Sequence, residues 1–167
     1  MSALGTVGKM LQNSLSRGGA KRTKKNPAPE LEKGTFDYIS EPKSDYFSVG
    51  FAKTDVMPDD MDKTTYYVAG YKINNPAKGA LDPMTASAIW IDDQSGRGGV
   101  IFVSIDDIGL TNYDVGIIRD LLADFKKETG CRSINIMSIH NHASIDTVGF
   151  WGPLPRSGLN NKYVEML

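Results

Sequence analysis

The sequence predicts an α/β fold: a mixed β-sheet with at least one strand–helix–strand crossover, forming part of a domain. Two apolar runs rich in β-branched residues, Val100–Ile105 and 133–139, are typical of buried strands. The segment between them has apolar residues at helical spacing. A strand, a helix and a strand within about 40 residues favour a right-handed crossover between parallel strands.

Further strands are expected before this crossover. Segments 47–53, 66–71 and 84–91 combine aromatic or β-branched residues with flanking residues that favour loops. Residues 92–99 are rich in Gly and Asp and suit the turn of a hairpin. They therefore predict a hairpin that joins 84–91 to Val100–Ile105.

The helix of the crossover is expected over 112–129, and Gly130 provides a suitable C-terminal stop. Residues 160–167 are typical of the first two turns of another helix, because apolar residues recur there at four-residue spacing. The apolar stripe of the first helix follows the 3.6-residue period and consists of Val115, Ile118, Leu121, Leu122 and Phe125.

Residues 1–45 are predicted to form a basic, flexible N-terminal segment ahead of a folded region at 46–167. Residues 1–34 hold seven basic and two acidic residues, a local charge of +5, so the remainder carries −6. A solvated tail is one interpretation of this segment. The other is a short amphipathic helix, as in a transit peptide or a membrane-surface segment, because apolar residues recur there at helical spacing, namely Leu4, Val7, Leu11 and Leu15.

The composition narrows the classes of function. A net charge of −1 gives no reason to expect a nucleic-acid partner. Cys131 is the only cysteine, which excludes an intrachain disulfide and a thiolate zinc cluster, and a buried spectator thiol is expected. No apolar stretch approaches the roughly 20 residues of a membrane span, and the N-terminus lacks the apolar core of a secretory signal. A cytoplasmic location is therefore the default expectation.

The two histidines of the chain, His140 and His142, follow the apolar run 133–139. Residues two apart in a strand point to the same face, so both imidazoles are expected side by side at the carboxyl end of this strand. Neutral imidazole is a common zinc ligand, and the pair could supply one or two ligands. The alternative is a pair of hydrogen-bonded structural histidines.

Asp106 and Asp107 follow Val100–Ile105 directly. A parallel crossover brings the carboxyl ends of its two strands to one edge of the sheet, where ligands collect. The acids and the histidines are therefore expected at the same edge. Asp106 could ligate a metal or orient an imidazole; capping of the next helix and solvation are the alternatives.

Five segments in order resemble the N-terminal region of neutral/alkaline, non-lysosomal ceramidases. The resemblance covers about residue 48 to the end of the chain, nearly all of the folded region. Each segment alone is weak, whereas five in the right order and spacing are fairly specific. They read Val-Gly-Phe-Ala-Lys-Thr-Asp-Val-Met-Pro (49–58), Ala-Gly-Tyr (69–71), Thr-Ala-Ser-Ala-Ile-Trp-Ile-Asp-Asp (85–93), Val-Ser-Ile-Asp (103–106) and Ile-His-Asn-His-Ala-Ser (139–144).

This resemblance implies a zinc-dependent amidohydrolase that cleaves the N-acyl amide of ceramide or a related lipid. His140 matches the first histidine of the family's His-x-His pair, which binds zinc. His142 matches the second, which lies in the active site, and Asp106 matches an aspartate near the same site. The partner implied is a lipid amide such as ceramide.

The chain departs from the family pattern in three places. Residues 143–145 read Ala-Ser-Ile where the family has Ser-Gly-Pro, and the Arg of the family's Ala-Arg-Ala strand is missing. The family's other zinc ligands, a histidine, a glutamate and a tyrosine, lie further downstream than Leu167. Region 46–167 is therefore expected to be truncated at its C-terminus, with an incomplete zinc site. The alternative function is a catalytically incomplete fragment or a non-enzymatic relative that acts as a binding module.

Overall fold

A computed structural model describes residues 45–167, so nearly all of the predicted N-terminal segment lies outside the described residues. Within them the chain forms four strands and three helices. In chain order these are β1 (Ser48–Asp55), β2 (Thr85–Asp92), β3 (Val100–Ile105), α1 (Asn112–Leu121), α2 (Ala123–Thr129), β4 (Ser133–Ser138) and α3 (Asn161–Met166).

The four strands form one sheet in the order β1-β2-β3-β4. β1 pairs with β2 and β2 with β3 in antiparallel fashion, whereas β3 and β4 are parallel. The predicted mixed sheet, the β2–β3 hairpin and the crossover are therefore confirmed. In the hairpin turn, Arg97 Nη2 lies 2.7 Å from Asp93 Oδ2.

The crossover helix is interrupted at Leu122, so the single helix predicted over 112–129 is wrong at that point. Leu122 has φ −92° and ψ 11°, although its N–H still donates to the carbonyl of Ile118 at 3.1 Å. No Gly or Pro marks this break in the sequence. Gly130 ends α2 in the left-handed conformation, φ 67°, as predicted. No helix within 45–167 is long and apolar enough to cross a membrane.

The helices lie over one face of the sheet. The Trp90 and Phe125 rings meet edge to face at 6.1 Å, and Arg119 Nε donates to the Ile134 carbonyl at 3.2 Å. On this side a cleft of about 830 Å³ lies between the sheet, α1 and the C-terminal residues. The opposite face keeps large apolar side chains exposed, namely Val49, Phe51, Ile89, Phe102 and Met137.

Buried apolar side chains from the loops pack against α3 and form a core cluster. The predicted strand over 66–71 is wrong, because within the described residues this segment makes only isolated bridges, Tyr67 with Pro76 and Val68 with Ile145. Its backbone pairs with loops instead, since Ala69 N donates to the Ser144 carbonyl at 2.9 Å. The buried members of the cluster are Val56, Tyr66, Met84, Ile145 and Tyr163.

Candidate functional site

The histidine pair lies just beyond the end of β4. The ladder continues as far as Ile139, whose N–H donates to the Ile105 carbonyl at 3.1 Å. His140 then adopts a left-handed conformation, with φ 64°, and Asn141 N–H donates to the Asp107 carbonyl at 2.8 Å. The prediction that strand alternation brings the rings together is therefore wrong. A turn brings them together, because its backbone is held by the loop that follows β3.

The two imidazoles face each other through their Nε2 atoms, which lie 3.0 Å apart, with ring centroids at 4.7 Å. His140 Nδ1 lies 2.8 Å from the Ile108 carbonyl oxygen. Because a carbonyl only accepts, we assign the proton of neutral His140 to Nδ1, which leaves its Nε2 as a lone pair. His142 Nε2 then either donates to this lone pair or shares a cation with it.

The loop at Gly70 packs closely against the backbone and Cβ of His142. A Cβ atom at Gly70 would lie 2.7 Å from both the Cβ and the carbonyl oxygen of His142, and Gly70 has φ 113°. The Tyr71 ring lies 5.0 Å from the His142 ring. His142 Nδ1 is buried and has no hydrogen-bond partner among the described residues. His142 is half-buried and His140 is exposed, so the pair opens to solvent on the His140 side.

Asp106 reaches the site through Asn141. Asn141 Nδ2 donates to Asp106 Oδ1 at 2.5 Å, and Asn141 Oδ1 accepts from the Ala143 N–H at 2.8 Å. The acids and histidines thus share one edge of the sheet, as the crossover predicts. Asn141 is a residue that the sequence analysis missed; its only sequence signal is its position between the two histidines.

Asp107 points into the protein and is 1% exposed, and neither of its carboxylate oxygens has a hydrogen-bond partner within residues 45–167. Burial raises the pKa of this carboxyl to about 6, and the nearby charge of Asp106 acts in the same direction. The Ser138 hydroxyl lies close enough to oppose this rise in pKa, although it makes no hydrogen bond of ordinary geometry with the carboxylate.

Tyr163 is another buried residue with an unpaired polar atom, because it is 2% exposed and its hydroxyl has no hydrogen-bond partner in the described part of the chain. Burial raises the pKa of this phenol, and the charges of Asp107 and Asp106 raise it further. The Tyr66 ring packs against it edge to face at 5.8 Å. Burial thus raises the pKa of both a carboxyl and a phenol in this part of the protein.

Asp146 organises the loop after the histidines. It is fully buried, and its carboxylate accepts hydrogen bonds from the N–H groups of Val148, Gly149 and Trp151 at 3.1, 2.6 and 2.8 Å. Trp151 Nε1 in turn donates to the Gly70 carbonyl at 2.7 Å. The sequence analysis missed this residue, although an Asp two positions before a Val-Gly pair in a loop is a signal for such backbone capping.

The pair supplies two nitrogen donors. Within residues 45–167, no group of three His, Cys, Asp or Glu side chains is arranged to hold a metal ion.

No model of a known protein family and no curated protein matches the chain. The fold and the site define an α/β protein with paired histidines at the carboxyl edge of a mixed sheet.

Proposed function

We propose that this chain is the N-terminal portion of a zinc-dependent amidohydrolase that cleaves the N-acyl amide of ceramide or a related lipid. The observation that carries the proposal is the 3.0 Å separation of the two Nε2 atoms. Two imidazole nitrogens that share a tetrahedral zinc, each about 2.0–2.1 Å from it, lie about 3.3 Å apart. The observed separation of the two Nε2 atoms is therefore within about 0.3 Å of the separation in a shared zinc site.

The hydrogen bond of His140 also supports this proposal. Metal-binding histidines characteristically donate their other ring N–H to a carbonyl or carboxylate, which fixes the tautomer and the ring orientation. His140 Nδ1 faces the Ile108 carbonyl in this way, at 2.8 Å. His140 is thus the primary zinc ligand that we propose.

His142 and Asp106 have different roles in the proposal. His142 Nε2 is close enough to His140 to ligate the same ion or to hold a proton beside it, and the resemblance to ceramidases favours a catalytic role. Asp106 contacts the turn through Asn141, so in this arrangement it fixes the turn that carries the pair. When bound, zinc supplies a Lewis acid that polarises an amide carbonyl and lowers the pKa of water.

A lipid amide is supported by the five ordered segments that resemble ceramidases and by the surroundings of the pair. Ile139, next to His140, is 58% exposed, and Tyr71, against His142, is 91% exposed. Apolar side chains beside a polar reaction centre suit a substrate with an apolar acyl chain.

The test is zinc binding by the full chain, measured by competition with a chromogenic chelator. We expect one zinc ion per chain, lost in His140→Ala and weakened in His142→Ala. Ser133→Ala, on β4 and outside the histidine turn, is the matched control. Equal zinc binding by wild type and His140→Ala would contradict the proposal. Absence of zinc binding by the wild-type chain would instead favour the alternative, an incomplete relative that acts as a binding module.

A further inference from the structure

Two loops beside the histidine pair are joined by hydrogen bonds. Trp151 Nε1 donates to the Gly70 carbonyl at 2.7 Å, and Asn74 N–H donates to the Trp151 carbonyl at 2.9 Å. These bonds join segments 70–76 and 149–156. We name their exposed side chains the rim surface; its members are Tyr71, Lys72, Ile73, Phe150, Leu154 and Arg156.

The apolar members of the rim surface are strongly exposed although their loops are well anchored. Single exposed apolar residues are ordinary, whereas a cluster of them marks an interaction site. Behind the cluster, the buried Asp146 carboxylate holds the Trp151 loop by three backbone N–H groups. The exposed fractions are 91% for Tyr71, 50% for Ile73, 43% for Phe150 and 46% for Leu154.

The charges of the rim surface are all of one sign. Segments 70–76 and 149–156 contain Lys72 and Arg156 and no Asp or Glu. Both basic side chains are exposed, and among the described residues the ion pairs are Lys63 with Asp62 and Arg97 with Asp93. A chain of net charge −1 thus presents a cationic, apolar surface next to the candidate site.

We propose that the rim surface binds anionic lipid membranes. Tyr71, Ile73 and Phe150 suit the boundary between headgroups and acyl chains, because aromatic and aliphatic side chains partition there. Lys72 and Arg156 suit the anionic headgroups. Membrane binding would bring a lipid amide to the histidine pair; this consequence rests on the proposed function, whereas the binding itself does not.

The first experiment is flotation of the full chain with phosphatidylcholine vesicles, with and without phosphatidylserine. We expect binding that requires phosphatidylserine. Lys72→Gln and Arg156→Gln should each lower the partition coefficient about five-fold, since a basic residue near an anionic surface contributes about 1 kcal/mol. Tyr71→Ser should lower it about ten-fold.

The matched control is Phe51→Ser on β1, because Phe51 is 70% exposed and belongs to the other exposed apolar cluster, the sheet face opposite the helices, so it tests whether the effect is specific to the rim surface. It should bind like wild type. A second measurement places a new tryptophan in either surface: brominated lipids should quench the added fluorescence of Tyr71→Trp but not that of Phe51→Trp.

Three results would overturn the proposal. The first is wild-type binding by the rim variants together with loss of binding on neutralisation of Lys21, Lys24 and Lys25, which would assign membrane contact to the N-terminal segment. The second is equal loss in Phe51→Ser. The third is no vesicle binding at all, which would leave the rim surface to a protein partner. His140→Ala should float with vesicles like wild type. Vesicle flotation therefore tests the membrane proposal independently of the zinc proposal, which chelator competition tests.

Discussion

The side-chain amide of Asn141 donates a 2.5 Å hydrogen bond to the carboxylate of Asp106, 35 positions earlier in the chain. The other end of the same amide accepts from the Ala143 N–H. Asn141 therefore ties the loop after β3 to the turn that carries both histidines. Asp106 therefore supports the position of the imidazoles through Asn141.

Loss of this contact should weaken metal binding. In Asn141→Ala the turn loses two hydrogen bonds, so His140 and His142 are no longer held with their Nε2 atoms at 3.0 Å. We expect zinc affinity to fall about ten-fold, the lower end of the usual effect of outer-shell partners. Chelator competition at fixed pH measures this change.

The control for that experiment is Asn135→Ala on β4. Asn135 Nδ2 donates to the Ile101 carbonyl at 3.1 Å within the sheet, so its loss should lower stability and leave zinc affinity unchanged. Equal zinc affinity in Asn141→Ala and wild type would refute the positioning role.

The Asp107 carboxyl predicts an unusual dependence of stability on pH. Its pKa is about 6 in the folded protein and 3.8 in its ordinary state. The folded state binds this proton more tightly than the unfolded state does. Below about pH 4 the carboxyl is protonated in both states, and the free energy of unfolding falls as the pH rises from about 4 to about 6. The free energy of unfolding should lose about 3 kcal/mol over that window.

Asp107→Asn should remove this loss, because an amide has no proton to release. Urea denaturation at pH values across the window measures the effect, with Ser138, Asp106 and Tyr163 left in place around the variant. Asp59→Asn, at an exposed carboxyl, should retain the wild-type loss. A wild-type stability that rises from pH 4 to pH 6 while Asp107→Asn stays parallel to it would contradict the prediction.

Removal of the Tyr163 hydroxyl should raise the free energy of unfolding, whereas removal of the neighbouring Tyr66 hydroxyl should lower it. The Tyr163 hydroxyl is buried and has no partner among the residues that the structure describes, so Tyr163→Phe removes an unsatisfied polar group and should raise the free energy of unfolding by about 1 kcal/mol. Tyr66 packs against the same ring, but its hydroxyl donates to Asp60 Oδ1 at 2.6 Å. Tyr66→Phe should therefore lower the free energy by about 1 kcal/mol. Thermal and urea unfolding distinguish the two, and the same sign in both would count against the assignment.

Local patterns predicted the sheet well because its strands are short runs rich in β-branched and aromatic residues, flanked by residues that favour loops. Val100–Ile105 is mostly apolar and β-branched, its parallel partner Ser133–Ser138 contains Ile134 and Ile136, and their pairing follows from the helix between them. The segment 66–71 has equally strand-like residues. Its partners are Pro76 and Ile145 in loops, and no local pattern specifies such bridges.

The candidate site was predictable in part for the same reason. Parallel topology alone brings Asp106 and the histidines to one edge. The facing of the rings depends on a left-handed φ at His140 and on contacts with Ile108 and Gly70, residues far apart in sequence. Likewise, Asn141 has no pattern that reveals its bond to Asp106, because that bond exists only after the crossover has formed.

Gly70 offers the sharpest test of how the pair is held. In Gly70→Ala the new Cβ would lie 2.7 Å from both the Cβ and the carbonyl oxygen of His142, so His142 must move. Gly79→Ala is the matched control, because Gly79 also has a positive φ, 146°, but nothing lies within 4 Å of its added Cβ. In both variants, backbone strain should lower the free energy of unfolding by about 1 kcal/mol. Only Gly70→Ala should also shift the imidazole ¹⁵N resonances of both histidines and weaken zinc binding. Unchanged His142 resonances in Gly70→Ala would show that the Gly70 loop does not position the ring.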